Sequence, residues 1–210
     1  MECRTAALAG VVLAVAAIGA CAEAGRAREL ATLVSEHPHD LFWAAMQQQC
    51  GKAYPGRLVY EPPGDDMLTG TEELIVHWRE CNDTLMRVPF HIEKEDDGSW
   101  DRSRTWVYMR HAGSIELRHD HRHEDGTPDE RTWYGASTIA DGAGSWQEFI
   151  LPDRTAEDGA RLGWRIEIVP GERYTYGTIR GDDYSWRVDF DLTREVPVPP
   201  APWGASALPE

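Results

Sequence analysis

The sequence predicts a mainly β protein: a single antiparallel meander closing into a lipocalin-like barrel, or splitting into a sandwich, with one N-terminal helix. Three observations carry this. Segments with apolar residues at every second position recur between residues 57 and 193, each bounded by Gly, Pro, Asn or Asp. Trp186, Val188, Phe190 and Leu192 alternate with Arg187, Asp189 and Asp191, the pattern of a strand with one buried and one wet face. Sequential hairpins without intervening helices remove their exposed edges by closing or by folding one sheet over another.

The first residues stand apart from this pattern. Arg4 precedes an apolar run from Ala6 to Ala20, shorter than the ~20 residues of a bilayer span and typical of a secretory signal peptide over residues 1–20. The run ends in Ile18-Gly19-Ala20-Cys21, which resembles the lipobox of bacterial lipoproteins. The resemblance implies cleavage before Cys21, acylation of that cysteine and attachment to membrane lipid. Ala22 stands where an Asp would retain many such proteins at the inner membrane, so the expected location is the outer membrane, facing the periplasm. A plain signal peptide cut at Ala20 or Ala22, or an uncleaved anchor, is the alternative.

Residues 21–38 are then a lipidated tether, residues 39–195 the barrel-like domain and residues 196–210 a Pro-rich tail. Asp40 precedes Leu41, Phe42, Ala45 and Met46, whose spacing predicts a helix stopped by Gly51. Strands are predicted over residues 57–61, 73–81, 84–93, 104–110, 114–121, 131–137, 146–151, 163–169, 174–180 and 186–193. The Val196-to-Gly204 stretch holds too many prolines for a sheet and reads as polyproline running over the surface, with Trp203 plugging a groove.

A formal net charge of −15 excludes a protein built to grip nucleic-acid phosphates and points to a self-repelling monomer. Cys3 leaves with the signal and Cys21 is lipidated, so Cys50 and Cys81 remain as an even pair. In an oxidising compartment they predict a disulfide, its ~30-residue loop adding roughly 3 kcal/mol and stapling the helix to the sheet.

The chemistry concentrates in Ile115-Glu-Leu-Arg-His-Asp-His-Arg-His-Glu-Asp-Gly-Thr-Pro-Asp129, where His119, His121 and His123 occupy alternate positions. Strand parity puts His119 and His121 on the face of Ile115 and Leu117, with Glu116, Arg118, Asp120 and Arg122 on the other. A two-residue Ala112-Gly113 loop would set Tyr108 against Leu117, Trp106 against His119 and Arg104 against His121. A three-residue loop would shift that register. The first is preferred, since it stacks aromatics on the histidine row and sets Arg104 to depress protonation of His121.

Three readings stay open at this stretch. Arg104, Trp106, Tyr108, His119 and His121 could form a barrel-mouth pocket for a small polar or anionic molecule, with no cofactor. The same histidines could be a hydrogen-bonded network inside a structural envelope protein. Or His119, His121 and His123 could hold zinc or another divalent metal in an enzyme, aided by His77, His91, Glu80 or Glu93, since His-x-His on a strand supplies two imidazoles. The metallo-β-lactamase-like motif fails at His123 and Glu124, and the calcium-loop pattern fails at His121 and His123. Nucleophile-elbow, Walker and dinucleotide-binding patterns are absent from the sequence. Arg79, Glu80 and Arg87 read as a salt-bridged hairpin.

The segments Arg79-Glu-Cys-Asn-Asp-Thr84, Arg102-Ser-Arg-Thr-Trp106, His119 to Asp129, Phe190-Asp-Leu-Thr193 and Pro199-Pro-Ala-Pro-Trp-Gly204 resemble those of a family of bacterial secreted proteins and lipoproteins with no assigned function. The similarity runs from about Phe42 to Gly204 and implies no activity.

Overall fold

The structure is a computed structural model and describes residues 37–65 and 67–205. The signal peptide, the lipobox at Cys21 and nearly all of the tether lie outside them.

A helix, α1 (Pro38–Gln47), precedes eleven strands: β1 (Ala53–Tyr60), β2 (Leu74–His77), β3 (Glu80–Cys81), β4 (Leu85–Glu93), β5 (Trp100–His111), β6 (Ser114–His121), β7 (Tyr134–Ser137), β8 (Trp146–Thr155), β9 (Arg161–Val169), β10 (Arg173–Arg180) and β11 (Asp183–Asp191). All pairings are antiparallel, in the order β7-β6-β5-β4-β2-β1-β11-β10-β9-β8, and β3 adds to β4. A bridge between Thr138, just past β7, and Phe149 of β8 joins the two ends of this path. The sheet is thus a nearly closed barrel, as the alternating pattern predicts. The predicted strand over residues 73–81 breaks into β2 and β3, and β1, β5 and β8 run longer than their sequence signals.

The core lies inside the sheet because every strand turns its apolar parity inward. Met86, Val88 and Phe90 of β4, Trp106 and Tyr108 of β5, Tyr174 and Tyr176 of β10, and Val188 and Phe190 of β11 are all buried. Trp106 stacks on Tyr176 at 4.1 Å and on Phe90 at 5.1 Å between ring centroids, and the Tyr108 and Tyr174 hydroxyls meet at 2.6 Å. Aromatic side chains from opposite walls therefore fill the space that a lipocalin-like vessel would leave for an apolar ligand.

Helix α1 lies against β8 and β9, at the end of the barrel opposite to His121. Pro38 suits its first turn, where no amide donor is needed, and Asp40 forms an ion pair with Arg110 near the end of β5. Phe42, Trp43 and Met46 join the core. The chain leaves the helix through Gly51 at φ +81°, and the Gly51 amide donates to the Trp78 carbonyl at 2.8 Å. The Cys50–Cys81 disulfide is present, tying this exit to β3.

The tail from Val196 onward crosses the outside of the sheet as an extended strap. The Val196 amide donates to the Ala53 carbonyl at 2.9 Å, and Arg102 donates to the Ala201 carbonyl at 3.1 Å. The Trp203 amide donates to the Arg102 carbonyl at 3.0 Å. His91 faces outward on β4, yet it is fully buried because the strap covers it, and its Nε2 donates to the Pro200 carbonyl at 2.9 Å.

Candidate functional site

The Ala112-Gly113 loop sets the register of the candidate site. Gly113 has φ +92°, which a two-residue hairpin loop requires of a residue free of Cβ strain. The resulting pairs are Tyr108 with Leu117, Trp106 with His119 and Arg104 with His121, as the preferred sequence register has it. The five residues proposed for the pocket therefore share one face of one hairpin.

They do not share one environment. Tyr108, His119 and Trp106 are 1 %, 2 % and 3 % exposed, so they are packed inside the barrel and no solute reaches them. The Nδ1 of His119 lies 3.1 Å from the Tyr134 carbonyl and its Nε2 lies 2.7 Å from the Tyr176 hydroxyl. A carbonyl can only accept, so Nδ1 carries the proton and Nε2 accepts from Tyr176. The ring also stacks on Tyr134 at 4.6 Å and meets Trp164 at 4.8 Å. Both nitrogens are engaged and the imidazole is neutral. Burial, with a smaller push from His121, lowers its pKa to about 3.

That geometry does not favour the metal reading. His119 has no lone pair left for an ion, and its ring centroid is 6.5 Å from that of His121. His123 is exposed in the turn that follows. Among the described residues, no three His, Cys, Asp or Glu side chains converge on a point where a metal ion could sit. His77 and His91 are buried on the outer side of β2 and β4. Burial, chiefly, holds both near pKa 4.

Solvent reaches the row one step further along. His121 is half-buried and its Nε2 meets the Tyr134 hydroxyl at 3.3 Å. Its pKa is lowered by burial first and then by Arg104, the effect expected from the register. Arg104 is ion-paired with Asp101 and donates to the Ser103 hydroxyl at 2.9 Å. Burial opposes ionisation of Asp101, but the Arg104 charge and Ser103 hydrogen bonds outweigh it and hold the carboxyl below its usual range.

Arg104 also lines a cavity of about 680 Å³ at this mouth, together with Ser103, Asp101, Asp129, His123 and Glu72. The volume suits a small ligand. Seven carboxylates surround it against Lys94, Arg104 and Arg122, so the mouth as a whole is acidic although Arg104 alone would attract an anion. The charge run at the end of β4 and just after it, Glu93-Lys-Glu-Asp96, supplies much of this acidity.

Sequence reasoning missed the partners that make His119 structural. Tyr176 and Trp164 lie more than forty residues downstream, and only closure of the sheet brings β9 and β10 across the barrel from β6. The alternation Tyr174-x-Tyr176 signals an inward aromatic stripe but not the strand it meets.

Comparisons with protein-family models, with curated proteins and with solved structures find nothing that matches this chain.

Proposed function

We propose that the protein is an exported lipoprotein, held at the outer membrane by an acylated Cys21 and facing the periplasm, which binds a small polar molecule at the mouth of its barrel. The observation that carries the binding reading is the mouth cavity, where Arg104, Ser103, Asp101 and Asp129 converge. The Trp106, Tyr108 and His119 side chains are packed in the barrel interior, do not line that cavity and do not touch the ligand. Arg104 lines the cavity, and His121 pairs with it across the hairpin without lining the cavity itself. The surplus of carboxylates favours a zwitterionic or cationic solute with one acidic group for Arg104 over the simple anion expected from Arg104 alone. Export is supported by the lipobox-like Ala20-Cys21 and by a disulfide that suits an oxidising compartment.

The test is a thermal-shift panel with L-arginine, glycine betaine, spermidine, succinate and maltose. At least one should raise the melting temperature of the wild type, and Arg104→Ala and His121→Ala should abolish that rise while leaving the free protein folded. The binding reading is wrong if no compound shifts the wild type. It is equally wrong if both variants destabilise the free protein by ~3 kcal/mol or more, the scale of a broken buried network. The barrel would then be a packed envelope scaffold.

A further inference from the structure

The Arg79-Glu80-Arg87 hairpin is salt-bridged, as its sequence suggests, and the mouth makes no use of it. In the structure it forms one wall of a separate groove of about 710 Å³ on the outer surface of the barrel, within the range of small-molecule sites. Its floor is the outward face of β4, β5 and β6, including Pro89, Thr105 and Asp120. The far wall is the end of the strap, Pro202 to Ala205.

Strand parity explains why charge collects there. Met86 and Val88 point inward, so Arg87 between them points out, opposite Glu80 of β3. The Glu80 carboxylate approaches Arg87 Nε at 3.2 Å with one oxygen and Arg79 Nε at 4.0 Å with the other. Arg87 makes its closest approach to Glu80 through Nε, and among the described residues its two terminal nitrogens enter no further ion pair. Arg122 differs: it is clamped on both oxygens of Asp120, at 2.7 and 3.3 Å, and serves as a fixed wall. A half-exposed guanidinium has the fork geometry that takes a carboxylate or phosphate through two parallel bonds.

The opposite wall is equally built. Trp203 is fixed by the hydrogen bond from its backbone amide to the Arg102 carbonyl, and Lys94 and Arg102 lie 5.5 and 6.0 Å from the centroid of its ring. Gly204 lies against Gly126, where an added Cβ would come within 3.0 Å of the Gly204 Cα. The strap therefore holds an indole and a proline beside the groove as a flat apolar surface, while Arg87 supplies charge.

We propose that this groove is a binding site for a small organic oxyanion with a flat apolar part, the oxyanion held by Arg87 and the flat part against Trp203 and Pro202. The oxyanion end of the site is distinct from the mouth, since neither Arg104 nor His121 lines the groove and Arg87 does not line the mouth, while Trp203 and Arg122 stand between the two and line both. Benzoate and inorganic phosphate are the probes, followed through the Trp203 indole N–H and the Arg87 Nε–H signals in nitrogen-15 NMR of the full mature chain. Benzoate should give saturable shifts at both signals at millimolar concentration, and phosphate should compete for Arg87 alone. Arg87→Gln should weaken benzoate by about tenfold or more, Arg87→Lys by less, and His121→Ala not at all. Trp203→Leu, which leaves the charges in place, should weaken benzoate but not phosphate. The proposal is overturned if neither probe shifts Arg87 up to about 10 mM. It is also overturned if benzoate binding survives both Arg87→Gln and Trp203→Leu, or is lost in His121→Ala.

Discussion

Acid should unfold this protein through its buried histidines before it reaches the carboxylates. His77, His91 and His119 are 3 %, 0 % and 2 % exposed, and burial lowers their pKa values to about 4, 4 and 3 from 6.5. The folded chain keeps them neutral while the unfolded chain protonates each of them below pH 6.5. Stability is therefore complete above pH 7 and falls as the pH drops through 6.5 toward 4, by up to about 1.4 kcal/mol per pH unit for each histidine. At pH 5 each contributes a loss of about 2 kcal/mol, and the three together about 6 kcal/mol. That is comparable with the whole stability of an ordinary domain, about 5–15 kcal/mol. His121 acts in the same direction.

The carboxylates do not confuse this window. Asp101 and Glu116 are held below the usual carboxylate range by arginine and hydrogen-bond partners that outweigh their burial, so their contribution is lost only at lower pH. Urea unfolding at pH 7.5 and 5.0, with imidazole titration by NMR, measures the effect. His119→Gln should cost about 1–3 kcal/mol at pH 7.5, through the lost bond from Tyr176, yet flatten the pH slope by about a third. Equal stability at the two pH values, or a folded-state His91 or His119 titrating near 6.5, would refute the reasoning.

Two further outcomes are expected. Replacing Cys50 and Cys81 together by Ala should lower stability by about 3 kcal/mol in non-reducing urea titrations, with α1 exchanging its amides faster than β4; an unchanged midpoint counts against the staple. Cys21→Ser should release the protein from the membrane fraction into the soluble periplasm, and continued attachment would remove the lipobox from the argument.

The barrel was legible because its signal is local. Parity in β4, β6 and β11 follows from residues two apart, and the hairpin register of β5 and β6 follows from Ala112-Gly113. The pairing of Cys50 with Cys81 followed from counting cysteines. What could not be read was everything set by closure. The sequence carries no sign that β1 pairs with β11, that Tyr176 reaches His119, or that a proline-rich tail buries an outward histidine. Each is a contact across many residues, fixed by strand number and tilt and not by any short pattern.

The same distinction explains why the histidine row divides as it does. Three imidazoles at alternate positions share one face of a strand, but a strand of a closed barrel passes from packed interior to open end along its length. His119 lies one residue pair inside the rim and is locked by Tyr134 and Tyr176. His121 lies at the rim beside Arg104, and His123 lies beyond it among solvated carboxylates. Identical residues two positions apart thus become a structural hydrogen-bond hub, a half-buried titratable group at the rim and a surface group. A row of this kind could coordinate a metal only if the strand ran flat along one surface, with all three rings in the same medium. Here each step of about 6.6 Å along the strand changes the medium, and the chemistry of the imidazole changes with it.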